Sequence, residues 1–428
     1  MRIIVTGQAG TAKKTFAERI VKHVLEQRRI PKTSSQYNKN REIKWYEVES
    51  KDWLKVDFRT FLTDYNESKQ QDKWAESITA INKDIANKNP KDCLLLLHAT
   101  WYRNNRFFSP LSWDKLISFK PDCVINLIDD LYDTWQRVEE GPHDTHLSLH
   151  EILSWRSVES TLSKTIALQL RIDPEGLDVK QIPSQLQSCF GSPLPHFIMA
   201  VKHPPETFYR LMFEKNERPV VYASFPITRT RGKSQRALEI ESFLQKLHEA
   251  GVIVINPLTI DEMRMKRNNP HWLELNNENS FNEYQGTRWQ VADPTVPPPC
   301  HYKNPFRDSS DAQIKDTVGR IEQHVVARDF DLIAQCQMLI AYRPFYPESG
   351  DQTSGPPTST PTGGVSREIS HALELGKTVW VVDPPSDCTT EREEDFFSQY
   401  AQWGRARTFS SLDELLKEIS MRVKASAN

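Results

Sequence analysis

The pattern with the most chemistry in it ends at Glu368. It reads Pro361-Thr362-Gly363-Gly364-Val365-Ser366-Arg367-Glu368-Ile369, a glycine-bearing loop running into a helical stretch over about Ser366–Leu375. Free backbone N–H groups at such a helix start favour an anion such as a phosphate. The apolar run before the loop, Met338–Tyr342, reads as a strand. That places Glu368 in a first helical turn at the carboxyl edge of a sheet, where open α/β sheets bind ligands. A carboxylate there can attack an anomeric carbon and stabilise an oxocarbenium-like transition state. The competing reading is a first-turn glutamate favoured only by the helix dipole.

A second pattern opens the chain. Gly7-Gln8-Ala9-Gly10-Thr11-Ala12-Lys13-Lys14-Thr15 lies between an apolar strand, Arg2–Thr6, and a helical stretch from about Lys13 to Leu25, as a P-loop requires. Its spacing resembles the G-x-x-G-x-G-K-x-T form of adenylate-kinase-type nucleotide kinases. That resemblance implies ATP or GTP with Mg²⁺ as ligand. Backbone amides near Gly7 and Gly10 would cradle phosphates, Lys13 with Lys14 beside it would meet the β/γ oxygens, and Thr15 would face the metal. Ala12 stands where glycine is normal; if a positive φ is needed there, alanine costs about 1 kcal/mol or more. Asp129-Asp130 ends a later strand, and His98, Arg103 and Arg106 follow another, within possible reach of phosphates. No unambiguous Walker B carboxylate is found. A loop that only senses nucleotide, or is purely structural, is the alternative.

The elements that must position these residues alternate twice. In the first half, apolar runs at Arg2–Thr6, Asp92–Leu97, Cys123–Ile128 and Phe197–Val201 are separated by helical sequence, including Leu147–Leu170. In the second half, strands are expected at Val220–Ala223, Val252–Ile255, Met338–Tyr342 and Thr378–Val382. Helices are expected at about Gln235–Ala250, Ile314–Ile333, Ser366–Leu375 and Leu412–Val423. The alternation predicts two doubly wound parallel-sheet α/β domains, with a junction near Phe213–Arg218 and boundaries at 1–216 and 217–428. Two long polar insertions, about Asp261–Asp311 and Pro347–Gly364, are functional or disordered.

Four segments of the second half, in order and spacing, resemble the nucleoside 2-deoxyribosyltransferase superfamily, which includes the 2′-deoxynucleoside 5′-monophosphate N-glycosidases. They are Val221-Tyr222-Ala223-Ser224-Phe225-Pro226, Leu247 to Pro257, Arg328-Asp329-Phe330-Asp331-Leu332-Ile333, and Pro361 to Glu368. The resemblance implies a Rossmann-like domain with Glu368 as catalytic glutamate. It implies that Asp329 orients the sugar and nucleophile or assists base protonation, and that Tyr222 is the aromatic beside the site. Thr362 and Gly364 would contact the 5′ end of the substrate. It also implies a homo-oligomer. Ser366-Arg367 and the two insertions depart from the family pattern. Read without the resemblance, Asp329 and Asp331 are also explicable as solvated helix charges. Arg229, Arg231 and Lys233 form a basic loop that either grips a phosphate or is solvated.

Bulk properties narrow the classes. A formal net charge of −2 over 428 residues gives no drive toward nucleic acid. Mean hydropathy is −0.60, and no apolar run is long enough to span a bilayer. The six cysteines are scattered without a CxxC pair, which disfavours zinc or a disulfide framework and fits the cytoplasm. The expected activity is cleavage or transfer at the N-glycosidic bond of a (deoxy)nucleoside or its 5′-monophosphate, a step needing no cofactor. Nucleotide binding or phosphorylation by the P-loop kinase-like domain would accompany it. An NAD glycohydrolase and a non-catalytic nucleotide-sensing regulator are the alternatives.

Overall fold

A computed structural model describes residues 1–27, 42–141, 146–172, 192–227, 234–260, 262, 303–343, 363–382 and 406–427. The chain divides into two compact units. One comprises Met1–Lys202 with Pro294–Lys303, the other His203–Asp293 with Asn304–Asn428. The division therefore falls at Lys202/His203, before the stretch Phe213–Arg218 that sequence composition marks as a junction.

In the first unit the strands are β1 (Arg2–Thr6), β2 (Ile43–Glu47), β3 (Asp92–Leu96), β4 (Cys123–Ile128) and β5 (His196–Ala200). They pair in the order β2-β3-β1-β4-β5, every pairing parallel. Every residue of β3 and β4 is buried, as expected of parallel strands covered on both faces. The helices used below are α1 (Lys13–Gln27), α2 (Glu67–Lys88), α3 (Leu131–Glu140) and α4 (Leu149–Gln169). Helix α2 is started by the Asn66 side chain, which accepts from the Lys69 amide, and stopped by Asn89 in the left-handed region. Its Trp74, Ile78, Ile81 and Ile85 recur at helical spacing and bury against Ile4, Tyr46, Cys93 and Leu95 of the sheet. Helix α4 begins with a capping box between Ser148 and Glu151.

The second unit contains α5 (Pro205–Phe213), β6 (Val220–Ser224), α6 (Ser234–Glu249), β7 (Ile253–Ile255), α7 (Asp311–Ala334), β8 (Met338–Tyr342), α8 (Gly363–Glu374), β9 (Thr378–Val382), β10 (Arg407–Phe409) and α9 (Leu412–Ala427). The strand order is β7-β6-β8-β9-β10, again all parallel. From β6 the chain moves to one side for β7 and then crosses to the other for β8. The reversal falls between β6 and β8, and the carboxyl ends of strands at such a point are the ligand position of open α/β sheets. Alternation along the strands separates the two faces. Val221, Ala223, Met338 and Ile340 join Ile240, Phe243 and Leu247 of α6 and Leu415 and Ile419 of α9 in one core. Tyr222 and Ser224 point to the opposite face, toward α8. Both units are thus α/β, with parallel sheets flanked by helices.

The packing makes a graded prediction. Phe243 is fully buried and stacks on Tyr342, with centroids 4.5 Å apart. Leu238 on the same helix is 63% exposed. In urea unfolding, Phe243→Ala is expected to cost about 3–5 kcal/mol and Leu238→Ala about 0.5 kcal/mol or less. Equal losses would place the apolar stripe of α6 elsewhere.

Candidate functional site

The second unit gathers its chemistry at the carboxyl end of β6. A strand alternates faces with period two, so Tyr222 and Ser224 emerge side by side. Both are buried, and both donate to the Glu368 carboxylate: Tyr222 Oη to Oε1 at 3.3 Å and Ser224 Oγ to Oε2 at 2.5 Å. Each carboxylate oxygen therefore has its own hydroxyl donor. That fixes the plane of the group. Helix α8 starts at Gly363, so Glu368 lies in its second turn, not the first. The two glycines extend the helix three residues further back than the expected start at Ser366. The dipole is concentrated in the first turn, so a purely dipolar reason for Glu368 loses its footing. Burial raises the Tyr222 phenol well above its usual range, with the Asp329 and Glu368 charges adding to the shift. Tyr222 is thus kept as an O–H donor.

Asp329 reaches the same cluster from α7. It is 5% exposed, which excludes the solvated reading, whereas Asp331 two positions on is exposed. Arg328 donates to Asp329 Oδ1 through Nη2 at 2.8 Å and Nε at 3.1 Å. The same guanidinium bonds Glu262 Oε2 at 3.3 Å and the Ile260 carbonyl at 3.1 Å. Burial opposes the Arg328 charge, but Asp329 and Glu262 more than restore it and push its pKa up. The cluster thus combines three carboxyl groups, Glu262, Asp329 and Glu368, with one guanidinium and two hydroxyls. Gly364 sits in the first turn of α8. Thr362, Arg229, Arg231 and Lys233 lie outside the described residues.

Three members of this cluster were missed as site residues in the sequence reading. Ser224 had a signal, since the alternation that selects Tyr222 selects it too. Arg328 had only its adjacency to Asp329. Glu262 had none, since 66 positions separate it from Arg328.

In the first unit, the Gly7–Thr15 loop follows β1 and enters α1. A Cβ on Gly10, whose φ is +80°, would stand 2.6 Å from the Thr134 carbonyl oxygen. Ala12 has φ +51°, so the positive-φ demand raised by the sequence is real and an alanine bears it. The Lys13 side chain is buried and donates to the carbonyls of Gly7 at 2.5 Å and Gln8 at 3.4 Å. Lys14 is exposed and Thr15 half-buried. Arg137 of α3 anchors the loop by donating to the Gly10 carbonyl at 2.8 Å while paired with Asp129 at 2.6 Å. Asp130 caps α3 through the Tyr132 amide. The Asp129-Asp130 pair therefore secures loop and helix. Arg103 donates to the Thr63 carbonyl, and Arg106 pairs with Glu67, so the structure shows both engaged in contacts away from the loop.

The residue that ties this loop down is Glu159 of α4, which sequence reading did not single out. Its Oε1 accepts from the amides of Gly7 at 2.9 Å and Ala99 at 2.8 Å, and its Oε2 from Thr100 at 2.8 Å. Ile152, Glu159 and Ile166 share one stripe of α4, and a glutamate on an apolar stripe was the available signal. Among the described residues no group of three or more His, Cys, Asp or Glu side chains could hold a metal ion. No described helix is long and apolar enough to cross a membrane. Comparison with known proteins finds no matching protein family and no matching curated protein.

Glu159 sets a pH dependence. Burial pushes its carboxyl up to about 7 from an ordinary 4.5, against the pull of Lys13 and the three amides. The folded chain then holds a proton that the unfolded chain has lost between these two values. Glu159's contribution to stability therefore falls as pH rises from about 4.5 to about 7. Urea midpoints of wild type and Glu159→Gln, measured at several pH values across that window, should converge toward its acidic end and diverge toward neutrality. A constant difference would contradict the assignment.

Proposed function

We propose that the second unit cleaves, or transfers at, the N-glycosidic bond of a (deoxy)nucleoside or nucleoside 5′-monophosphate, with Glu368 as nucleophile. The observation that carries this reading is the doubly hydrogen-bonded Glu368 carboxylate at the switch point of a parallel sheet. A carboxylate oxygen attacks C1′, the C1′–N bond breaks, and its electron pair leaves with the base, which takes up a proton. Water or a second base then attacks C1′ and frees Glu368. Tyr222 and Ser224 hold the nucleophile in line, a positioning effect general to covalent glycoside chemistry. Asp329, paired with Arg328, is an acceptor suited to a sugar hydroxyl.

A second reading has its own support. The three carboxyl groups of the cluster outnumber its one guanidinium, which favours a cationic substrate as well as a cationic transition state. A pyridinium N-glycoside such as NAD fits this and needs no proton on its leaving group.

For the first unit we propose a P-loop that binds ATP or GTP. The tightly packed glycine turns support it, as do Lys13 and the first amides of α1, which have no intrahelical acceptor. When bound, the nucleotide would supply a transferable phosphoryl group. Lys13 would meet its phosphates and Thr15 its Mg²⁺.

Incubation with deoxynucleosides, their 5′-monophosphates and NAD, followed by assay for free base, tests the glycosidase reading. Glu368→Ala should abolish base release while the chain still unfolds cooperatively, at a lowered midpoint because the buried Tyr222 and Ser224 hydroxyls lose their acceptor. Asp329→Asn should slow release by about 10²-fold or more. Wild-type rates in the Glu368 variant would remove the nucleophile assignment.

The 5′ end separates the branches of the resembled superfamily. A phosphate held near the start of α8 should favour the monophosphate by roughly ten- to a hundred-fold in kcat/KM, the effect of one charge-assisted contact. Equal or faster turnover of the free nucleoside would assign the transferase branch, and turnover of NAD alone the pyridinium reading.

A further inference from the structure

Three adjacent strands of the first unit end in the same way. Glu49, His98 and Gln8 each stand two positions beyond the ends of β2, β3 and β1. The pairing of both Glu47 and Val5 with Leu96 brings these exits level. All three side chains are buried, with exposures of 5%, 9% and 1% in that order. None is fully satisfied within the protein: Glu49 Oε2 and both Gln8 amide atoms have no hydrogen-bond partner, and His98 Nδ1 has only the long 3.6 Å approach to Glu49 Oε1. The other Glu49 oxygen is committed, accepting from Trp74 Nε1 at 3.2 Å and the His98 amide at 3.0 Å. The Lys13 charge acts on both Glu49 and His98. Phe58, partly buried, lies nearly parallel to the His98 ring at 6.3 Å. Buried polar atoms are rarely left unpaired in native proteins, and such groups clustered beside a loop suited to phosphates mark a ligand site.

The donor set selects the ligand. A phosphate monoester offers mainly acceptors and would bring negative charge against Glu49. A hydroxyl group can donate to Glu49 Oε2 and accept from the Gln8 amide nitrogen. Phe58, whose ring lies nearly parallel to both Phe61 and His98, adds an aromatic wall to the site. We propose that this site binds a nucleoside, a sugar hydroxyl donating to Glu49 Oε2, and that the first unit acts on an alcohol instead of on a nucleoside monophosphate. Burial pushes the Glu49 carboxyl up, but His98 and Lys13 outweigh it and hold it below its ordinary value, ready to accept. With a triphosphate held at Lys13, which rests on the P-loop reading above, the hydroxyl oxygen attacks the γ-phosphorus. The bond from that phosphorus to the bridging oxygen breaks, the nucleoside diphosphate leaves with the electron pair, and the hydroxyl proton passes to Glu49.

The test uses the full chain carrying Glu368→Ala, so that the second unit does not consume the probes. Calorimetry with thymidine, deoxycytidine, deoxyadenosine and deoxyguanosine, without ATP, should show binding of at least one. Glu49→Gln should weaken it at least tenfold, the loss of one charge-assisted hydrogen bond. Gln8→Leu provides a second readout. It should raise the melting temperature, because two unpaired buried polar atoms are removed, and still weaken binding about tenfold. A lowered melting temperature with unchanged binding would make Gln8 structural and overturn the site. Absence of binding by all four nucleosides would overturn it too, as would tighter binding of the 5′-monophosphates that Glu49→Gln improves. Adding Mg·ATP should then yield the nucleoside monophosphate. Nucleoside binding without ATP binding would retain this site and remove the P-loop reading alone.

Discussion

A buried parallel strand must stop somewhere, and where it stops its last amides lose their ladder partners. The first unit meets that constraint with a helix carboxylate, and the second places a helix carboxylate at the same edge of its sheet. In the first, one carboxylate, Glu159, accepts the amides of Gly7, Ala99 and Thr100 and so closes the exits of β1 and β3 together. In the second, the end of β6 turns two side-chain hydroxyls toward α8, and a carboxylate on that helix takes both. An acceptor supplied by a following helix is the common solution, and it is also what puts chemistry at that edge.

The electrostatic consequences differ. Glu159 is spent on structure, and burial carries it to about 7 even with Lys13 nearby. Lys13 in turn is lowered by burial, although Glu159, Glu49 and Glu47 all work to hold its charge. Carboxylates therefore surround the loop cation, and an incoming phosphate has to compete with them and with the carbonyls of Gly7 and Gln8. In the second unit Arg328 pairs with Asp329 and Glu262, and the hydroxyls of Tyr222 and Ser224 donate to Glu368.

Much of the fold was legible because its strands are short apolar runs. Met338–Tyr342 and Thr378–Val382 have the bounds the sequence suggests, since polar residues flank them on both sides. β2, with sequence IKWYE, was not seen. It is an edge strand with a half-polar pattern, and its place is set by pairing with β3. Helix α2 was missed as well, because its apolar residues are widely spaced among charges and only packing gives the stripe a meaning. Of the sites, loop glycines and a glutamate after them announce themselves locally. Glu49 and Glu262 do not, since each matters only through what the fold brings beside it.

Ala12 shows how local and global demands are reconciled. A left-handed residue favours glycine, and alanine there costs about 1 kcal/mol or more. The conformation persists because its neighbours leave no other path. Gly10 has no room for a side chain against Thr134, Arg137 grips the Gly10 carbonyl, and Lys13 is drawn down onto the carbonyls of Gly7 and Gln8. Asp129 fixes Arg137, and Glu159 fixes Gly7. The loop is therefore shaped by the hydrogen bonds that Arg137 of α3 and Glu159 of α4 make to it more than by its own backbone preferences. A sequence departure that looks disabling when the nine-residue motif is read alone is accommodated once those helices are in place.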